Sequence, residues 1–258
     1  MEIRVLAVGD VVGESGLAFL ERHLRRIKKE KKIDFAVVNG ENVAGVGLTC
    51  DHAWRIYDAG ADAVTLGNHT FGKMEITRLL DEADWLLRPA NYTGHMPGKG
   101  CAVYNMGAYS IRVVNLIGRC ELNFHADNPF FTMDRLLKNE KEKTFTLVDF
   151  HAEATSEKLA MGYYLEGRVS AVWGTHTHVP TADEQVMPGG TGYITDLGMT
   201  GPVHSVLGIR PEQSVETFLG GLPGRYQTAS GPCKLQGAVF TLDSSTGHCT
   251  AVERIEVR

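Results

Sequence analysis

Five apolar runs in this chain each stop at polar side chains able to bind a metal ion. They are IRVLAVGD, ending at Asp10; FAVVNGEN, ending in Glu41 and Asn42; DAVTLGNH, ending in Asn68 and His69; TFTLVDFH, ending at His151; and VSAVWGTHTH, carrying His176 and His178. Short apolar runs bounded by glycine and polar residues read as buried strands. The first three alternate with segments of helical spacing: one over Leu17, Leu20, Leu24 and Ile27, then DHAWRIYDAG, closed by Gly60 as its C′ residue, then one over about 73–82. This β-α-β order requires parallel strands with covering helices. Further strands are expected at CAVYNM, SIRVVNLIG, KLQGAVFTLD and CTAVERIEV, and helices near 133–142, 156–164 and 212–219. The hairpin-like pair around NMGAYS and the strand-rich end predict antiparallel pairing. There is no internal repeat, low-complexity tract or linker, so residues 1–258 read as one mixed α/β domain.

In open α/β sheets, groups just beyond the carboxyl ends of the strands line one crevice. Five strand ends therefore bring Asp10, Glu41, Asn42, Asn68, His69, His151, His176 and His178 toward one place. On an extended backbone, residues i and i+2 point the same way, so His176 and His178 are expected to reach a common point. Glycine directly precedes Asp10, Glu41 and Asn68 and lies two residues before His176, as tight turns close to a ligand need. Taken singly, a strand-terminal Asp or Asn is a turn or cap residue, and His151 a hydrogen-bonded core residue. Their shared position relative to the strands supports the joint reading. Carboxylates, amides and imidazoles without sulfur suit Mn, Fe, Co or Zn better than Ca or Mg. Seven of these as ligands would exceed the need of one such ion, whereas two ions ~3.5–4 Å apart, sharing a bridging carboxylate, would use them. Two carboxylates and a hydroxide on two divalent ions leave a single positive charge, which matches a phosphodiester monoanion.

Composition removes several other classes. The net charge of −5 gives no broad attraction to a nucleic-acid polymer, although a local pair of cations would still hold a small anion. The basic run RRIKKEKK reads as the solvated end of a helix. The five cysteines are widely spaced and form no CxxC, which argues against a disulfide framework or thiolate site and for a reducing cytoplasm. MEIRVLAVGDVVG reads as a first strand rather than a signal peptide, and no apolar stretch is long enough to span a bilayer. VGDVVGESG lacks G-x-G, and Asp10 in that turn would repel a pyrophosphate, so it is not a dinucleotide fingerprint.

The ordered blocks Gly9-Asp10, Gly40-Glu41-Asn42, Gly67-Asn68-His69, His151 and Gly174-Thr175-His176-Thr177-His178 resemble the calcineurin-like metallophosphoesterases. The wording NGEN, TLGNHTF, RPANY, DFHAEATSEK, GTHTHV and YITDLGMTGP is similar to the bacterial YmdB-like subfamily, over essentially the whole chain. The resemblance implies an αββα sandwich of mixed sheets with helices on the outer faces. It implies a phosphodiesterase acting on a small phosphodiester, the 2′,3′-cyclic nucleotides. It also implies Asp10, Asn42 and His178 on one ion, Asn68, His151 and His176 on the other, and Glu41 bridging both. A water activated by the ions would attack phosphorus in line, and the ions would stabilise the phosphoryl oxygens.

Two positions depart from the superfamily pattern. The usual D-x-H is Asp10-Val11-Val12, and the usual bridging Asp is Glu41. The carboxamide of Asn42 is expected to replace the missing imidazole, which favours Fe or Mn over Zn and Co. His69 is expected to protonate the leaving ribose oxygen as general acid. Asp149 or Asp196 could hold a histidine ligand in place. Glu153 is a further candidate, and Thr155 is either a site residue or the N-cap of the SEKLAM helix. Tyr163, Tyr164 and Phe124 are candidates for a base pocket in competition with core packing. Two other functions stay open: a metal-binding regulator acting through a protein partner, and a phosphoesterase for phosphomonoesters or 3′,5′-cyclic nucleotides. Base preference and homo-oligomerisation stay open as well.

Overall fold

The structure, a computed structural model, describes residues 1–122, 126–138, 144–222 and 224–258. The early apolar runs form β1 (Glu2–Val8), β2 (Asp10–Val11), β3 (Phe35–Asn39), β4 (Ala63–Thr65) and β5 (Leu86–Leu87). A second group follows: β6 (Cys101–Asn105), β7 (Ser110–Ile117), β8 (Thr144–His151), β9 (Ala171–Thr175), β10 (Gln185–Val186) and β11 (Gly192–Ile194). Then β12 (Met199–Pro202), β13 (Cys233–Asp243) and β14 (Cys249–Val257) return to the first sheet. The first sheet runs β2-β12-β13-β1-β3-β4-β5 with β14 on β13, and the second runs β10-β11-β9-β8-β7-β6. β1, β3, β4 and β5 are parallel, as are β7, β8, β9 and β11. β13 and β6 run antiparallel to their neighbours, the latter through the expected hairpin at Asn105 and Ser110.

Continuous apolar character along these strands has a direct cause: both faces are covered. In β1, Ile3, Val5 and Ala7 face the second sheet and pack with Ile111, Leu147 and Trp173. Leu6 and Val8 face outward, against Leu17, Leu20 and Leu24 of α1 (Gly13–Glu30) and Ile56 of α2 (Cys50–Asp58), with α3 (Ile76–Glu82) alongside. On the far side, Met133 of α4 (Pro129–Leu137) and Met161 and Leu165 of α5 (Thr155–Leu165) cover Val148 and Val172. The result is the expected αββα sandwich. A short α6 (Pro211–Phe218) precedes β13.

Gly60 closes α2 as read from the sequence: at φ +115° it donates to the Tyr57 carbonyl, and the Ala61 amide reaches that of Ile56. The helix expected over 133–142 starts earlier, at Pro129, because Asn128 caps it by accepting from the Phe130 amide at 2.9 Å. Its expected end, 139–142, lies outside the described residues. Thr155 is not an N-cap: it is the first residue of α5, behind Ala154, and makes no capping bond. The third strand stops at Thr65, so Asn68 and His69 sit in the loop beyond it. None of the five cysteines is paired, and no described helix is long and apolar enough to cross a membrane.

Candidate metal centre

The carboxyl ends of the two sheets meet, and polar groups link them. Thr65 of β4 donates its hydroxyl to Asp149 of β8, and Asn115 of β7 donates to the Leu66 and Leu87 carbonyls. His151 and Thr175 end their strands side by side in register. Seven of the eight residues singled out from the sequence gather here, in two adjoining groups, with His69 beside them.

The first group centres on His151, which is fully buried. The Thr175 hydroxyl donates to Asp149 Oδ1 at 2.8 Å, so its oxygen accepts from His151 Nδ1 at 3.0 Å. Nε2 then faces inward, with Glu41 Oε1 at 2.9 Å, Asn68 Oδ1 at 2.9 Å and His176 Nδ1 at 3.0 Å. A ring nitrogen carries at most one hydrogen, so it cannot satisfy three electron-rich atoms. A cation shared among them would. Ligand atoms of Glu41, His151 and His176 all lie within 4.8 Å of one another.

The second group joins Asp10, Asn42 and His178. His178 Nδ1 donates to the Leu207 carbonyl at 3.0 Å, which turns Nε2 toward the Asn42 amide at 3.1 Å and Asp10 Oδ1 at 3.6 Å. The same Asn42 amide lies 3.5 Å from both Asp10 Oδ1 and Glu41 Oε1, so Glu41 touches both groups. Rotating the amide by half a turn would present its oxygen at that point. Each histidine is thus held through its outer nitrogen: His151 by Thr175, His178 by Leu207, and His176 by Glu153 Oε2 at 2.9 Å. Fixing one nitrogen to leave the other bare is how proteins orient imidazole ligands. The donor set fits divalent metal ions.

Charge follows the same geometry. Burial opposes ionisation of Asp10, yet His178, His151 and the His176 amide hold its carboxyl well below the usual carboxylate range. Glu41 is lowered against its burial mainly by His151. Burial disfavours a charged His151, but Glu41 and Asp10 push it up to about 9. Burial and the neighbouring His151 bring His176 down to about 4. Burial raises Asp149 to about 6.

The two histidines do not converge through an extended backbone. β9 ends at Thr175, and His176 and His178 take φ values of +99° and +63°. Such angles are costly for residues with a Cβ, at ~1–3 kcal/mol each, and need outside support. The His176 amide donates to Asp10 Oδ2 at 3.1 Å, and the Thr177 hydroxyl donates to Asp196 Oδ2 at 2.7 Å. Asp196 therefore holds the turn rather than a histidine, itself paired at 2.6 Å with Lys158, which is also buried. Asp149 does hold a histidine, His151, through Thr175.

The motif glycines serve close approach rather than turn geometry. A Cβ on Gly67 would lie 2.2 Å from the His151 ring, and one on Gly174 would lie 1.9 Å from the Thr195 carbonyl oxygen. His69 is not among the converging ligands. Its amide donates to Glu41 Oε2 at 3.0 Å, and its ring lines a cleft of about 1040 Å³ that also borders Glu41, Asn42, His176 and His178.

Sequence reasoning missed Asn39, whose side chain accepts from the Glu41 amide at 3.2 Å, together with Thr175, Lys158 and the cleft walls. The strand-terminal position of Asn39 and Thr175 was a usable signal for those two. Tyr163 and Tyr164 lie on α5, away from this cleft, and Tyr226 lines it instead. Phe124 lies outside the described residues.

Residues 6–255 match the family described as "YmdB-like protein". The chain is 44% identical over 255 residues to the 2′,3′-cyclic-nucleotide 2′-phosphodiesterase of Bacillus subtilis, covering 98% of this chain and 96% of that one. Among solved structures, a phosphatase from Mycoplasma pneumoniae superposes with a TM-score of 0.93 at 34% identity, covering 100% of this chain and 94% of the other. A hypothetical protein from Thermus thermophilus gives 0.90 at 40% identity, covering 99% of both chains.

Proposed function

The chain belongs to the YmdB-like family and is a phosphoric diester hydrolase; within that class we propose that it opens 2′,3′-cyclic nucleotides with the help of two divalent ions. The observation that carries this reading is the inward set of bare nitrogens and oxygens, each histidine being held from outside by Thr175, Leu207 or Glu153. Asn68, His151 and His176 would hold one ion, Asp10, Asn42 and His178 the other, with Glu41 between them. When bound, Fe or Mn ions would make water nucleophilic at neutral pH and neutralise charge on the phosphoryl oxygens.

The remaining work falls to the chain itself. Glu41 accepts the His69 amide and so places that imidazole at the cleft, beside the ligands. There His69 would deliver a proton to the departing ribose oxygen, and likeness to the 2′-phosphodiesterase of Bacillus subtilis supports reading that oxygen as the 2′ one. Ile117, in register with His151, and Leu197, whose amide donates to the Gly174 carbonyl, are buried and keep bulk water off that side of the site. The inter-sheet core, with Ile3 and Phe35 against Leu147 and Trp173, supports residues 1–258 acting as one domain.

Metal content per chain, measured by elemental analysis alongside turnover of 2′,3′-cyclic AMP with and without added Mn²⁺, tests this. Close to two ions and metal-dependent formation of the 3′-monophosphate are expected. A chain that takes up no metal after loading, or opens no cyclic nucleotide with two ions bound, refutes it.

A further inference from the structure

A 2′,3′-cyclic phosphate forms when a ribose 2′-hydroxyl displaces the 5′ oxygen of the next nucleotide. It therefore arises first at the end of an RNA strand, and on a free nucleotide only after further cleavage. The cleft beside the metal centre has features a cyclic mononucleotide leaves unused. Its volume of about 1040 Å³ lies at the top of the ~300–1,000 Å³ typical of small-molecule pockets. Lys73 and Arg225 line it, and neither side chain has an ion-pair or hydrogen-bond partner among the described residues. Of the carboxylates on its walls, Glu41 belongs to the metal centre, and Glu14 is occupied by Arg55 at 2.6 Å and His52 at 3.4 Å. A cyclic mononucleotide brings one phosphate, which must sit at the ligands, and no anion for these two cations. The same walls expose Val46, Leu207 and Tyr226. The Tyr226 hydroxyl donates to Thr217 at 3.1 Å, which tethers the ring. Cations alternating with an exposed aromatic ring are how proteins track a single strand.

Resting on the phosphodiesterase reading above, we propose that the preferred substrate is an oligoribonucleotide ending in a 2′,3′-cyclic phosphate. Lys73 and Arg225 contact its internal phosphates, and a base stacks on Tyr226. Water supplies the oxygen that bonds to phosphorus, the bond from phosphorus to the 2′ oxygen breaks, and that oxygen takes a proton, leaving a 3′-phosphate end. The net charge of −5 does not oppose this, because the contact is with two local cations rather than the whole surface.

The test compares kcat/KM of the metal-loaded full chain for three substrates: 2′,3′-cyclic AMP, its 5′-phosphorylated form, and a triadenylate ending in a 2′,3′-cyclic phosphate. The trinucleotide is expected to lead cyclic AMP by roughly tenfold, the worth of two exposed charge contacts. Two phosphate contacts on a single strand should also make its kcat/KM fall about sevenfold between 50 and 200 mM salt. In the Lys73→Ala/Arg225→Ala variant, the trinucleotide-to-mononucleotide ratio should collapse toward one. Equal kcat/KM for cyclic AMP and trinucleotide in the unmodified chain, or an unchanged ratio in the variant, overturns the inference while leaving the phosphodiesterase reading standing. A 5′-phosphorylated mononucleotide as good as the trinucleotide overturns it in favour of a doubly phosphorylated nucleotide. Turnover of none of the three overturns both.

Discussion

Replacing Gly67 with alanine tests the position of His151 without removing any functional group. A Cβ there would lie 2.2 Å from Cδ2, 2.3 Å from Nε2 and 2.4 Å from Cγ of the ring, where relaxed contacts need ~3.5–4.0 Å. The imidazole would have to retreat by roughly 1.3–1.8 Å to restore such contacts. It has little freedom to do so, being fully buried and tied through Nδ1 to Thr175 at 3.0 Å. The backbone of Gly67 is pinned as well, since its carbonyl accepts from the hydroxyls of Thr70 at 2.6 Å and Tyr92 at 3.3 Å. A retreat of that size takes Nε2 out of reach of Glu41 and Asn68, both now at 2.9 Å. Overpacking of this kind costs ~1–3 kcal/mol, or roughly 2–12 °C of Tm for a chain of this length. Disturbing a residue that merely supports a ligand lowers metal affinity by ~10–100-fold, and moving the ligand itself should cost at least as much. Elemental analysis after dialysis against limiting Mn²⁺, with circular dichroism to confirm folding, reads the effect. The expected result is a folded chain that keeps the ion at Asp10, Asn42 and His178 but loses the other. Two ions retained with unimpaired turnover would show that His151 is not a ligand.

His69→Ala should lower turnover of 2′,3′-cyclic AMP by ~10²–10⁴-fold with metal content unchanged; near-normal turnover would remove His69 from the general-acid role. Lys158→Met leaves Asp196 buried without its cation, a loss of ~3–5 kcal/mol. Because Asp196 also holds Thr177 between the two histidines, metal affinity should fall together with Tm, and loss of one without the other would separate the two roles. Chelation should lower Tm by roughly 5–10 °C per ion if the ions are present at ~100 times Kd. In the chelated protein, His151 stays protonated up to about 9 beside Glu41. Its folded value lies above the ordinary ~6.5, so this stabilisation is complete below about pH 6.5 and is lost as pH rises through the folded value. Asp149, at about 6, and His176, at about 4, titrate below that window. Thermal melts of the chelated protein should therefore decline steadily across it, and a flat or rising Tm would contradict the assignment.

Hydrophobic runs, their order and their polar ends are properties of neighbours along the chain, and those were legible. The strands β1, β3, β8 and β9, the Gly60 cap of α2 and the gathering of Asp10, Glu41, Asn42, Asn68, His151, His176 and His178 all follow from local pattern and the parallel β-α-β rule. Where a feature depended on what arrives from elsewhere, local pattern misled or was silent. Gly67 looked like a turn glycine, but the ring of His151, far along the chain, rests where its side chain would be. His176 and His178 looked like alternate residues of a strand, but Asp10 and Asp196 hold them in left-handed turns. Which nitrogen of each histidine faces inward was decided by Thr175, Glu153 and Leu207, three acceptors with no common spacing from the rings they hold. The cleft, too, exists only where residues 207–209 and 225–228 close over 42–46 and 69–73. Ligand identity is written in residue type and strand position; ligand orientation, close approach and the shape of the substrate's space come from contacts between distant segments, which only the folded chain brings together.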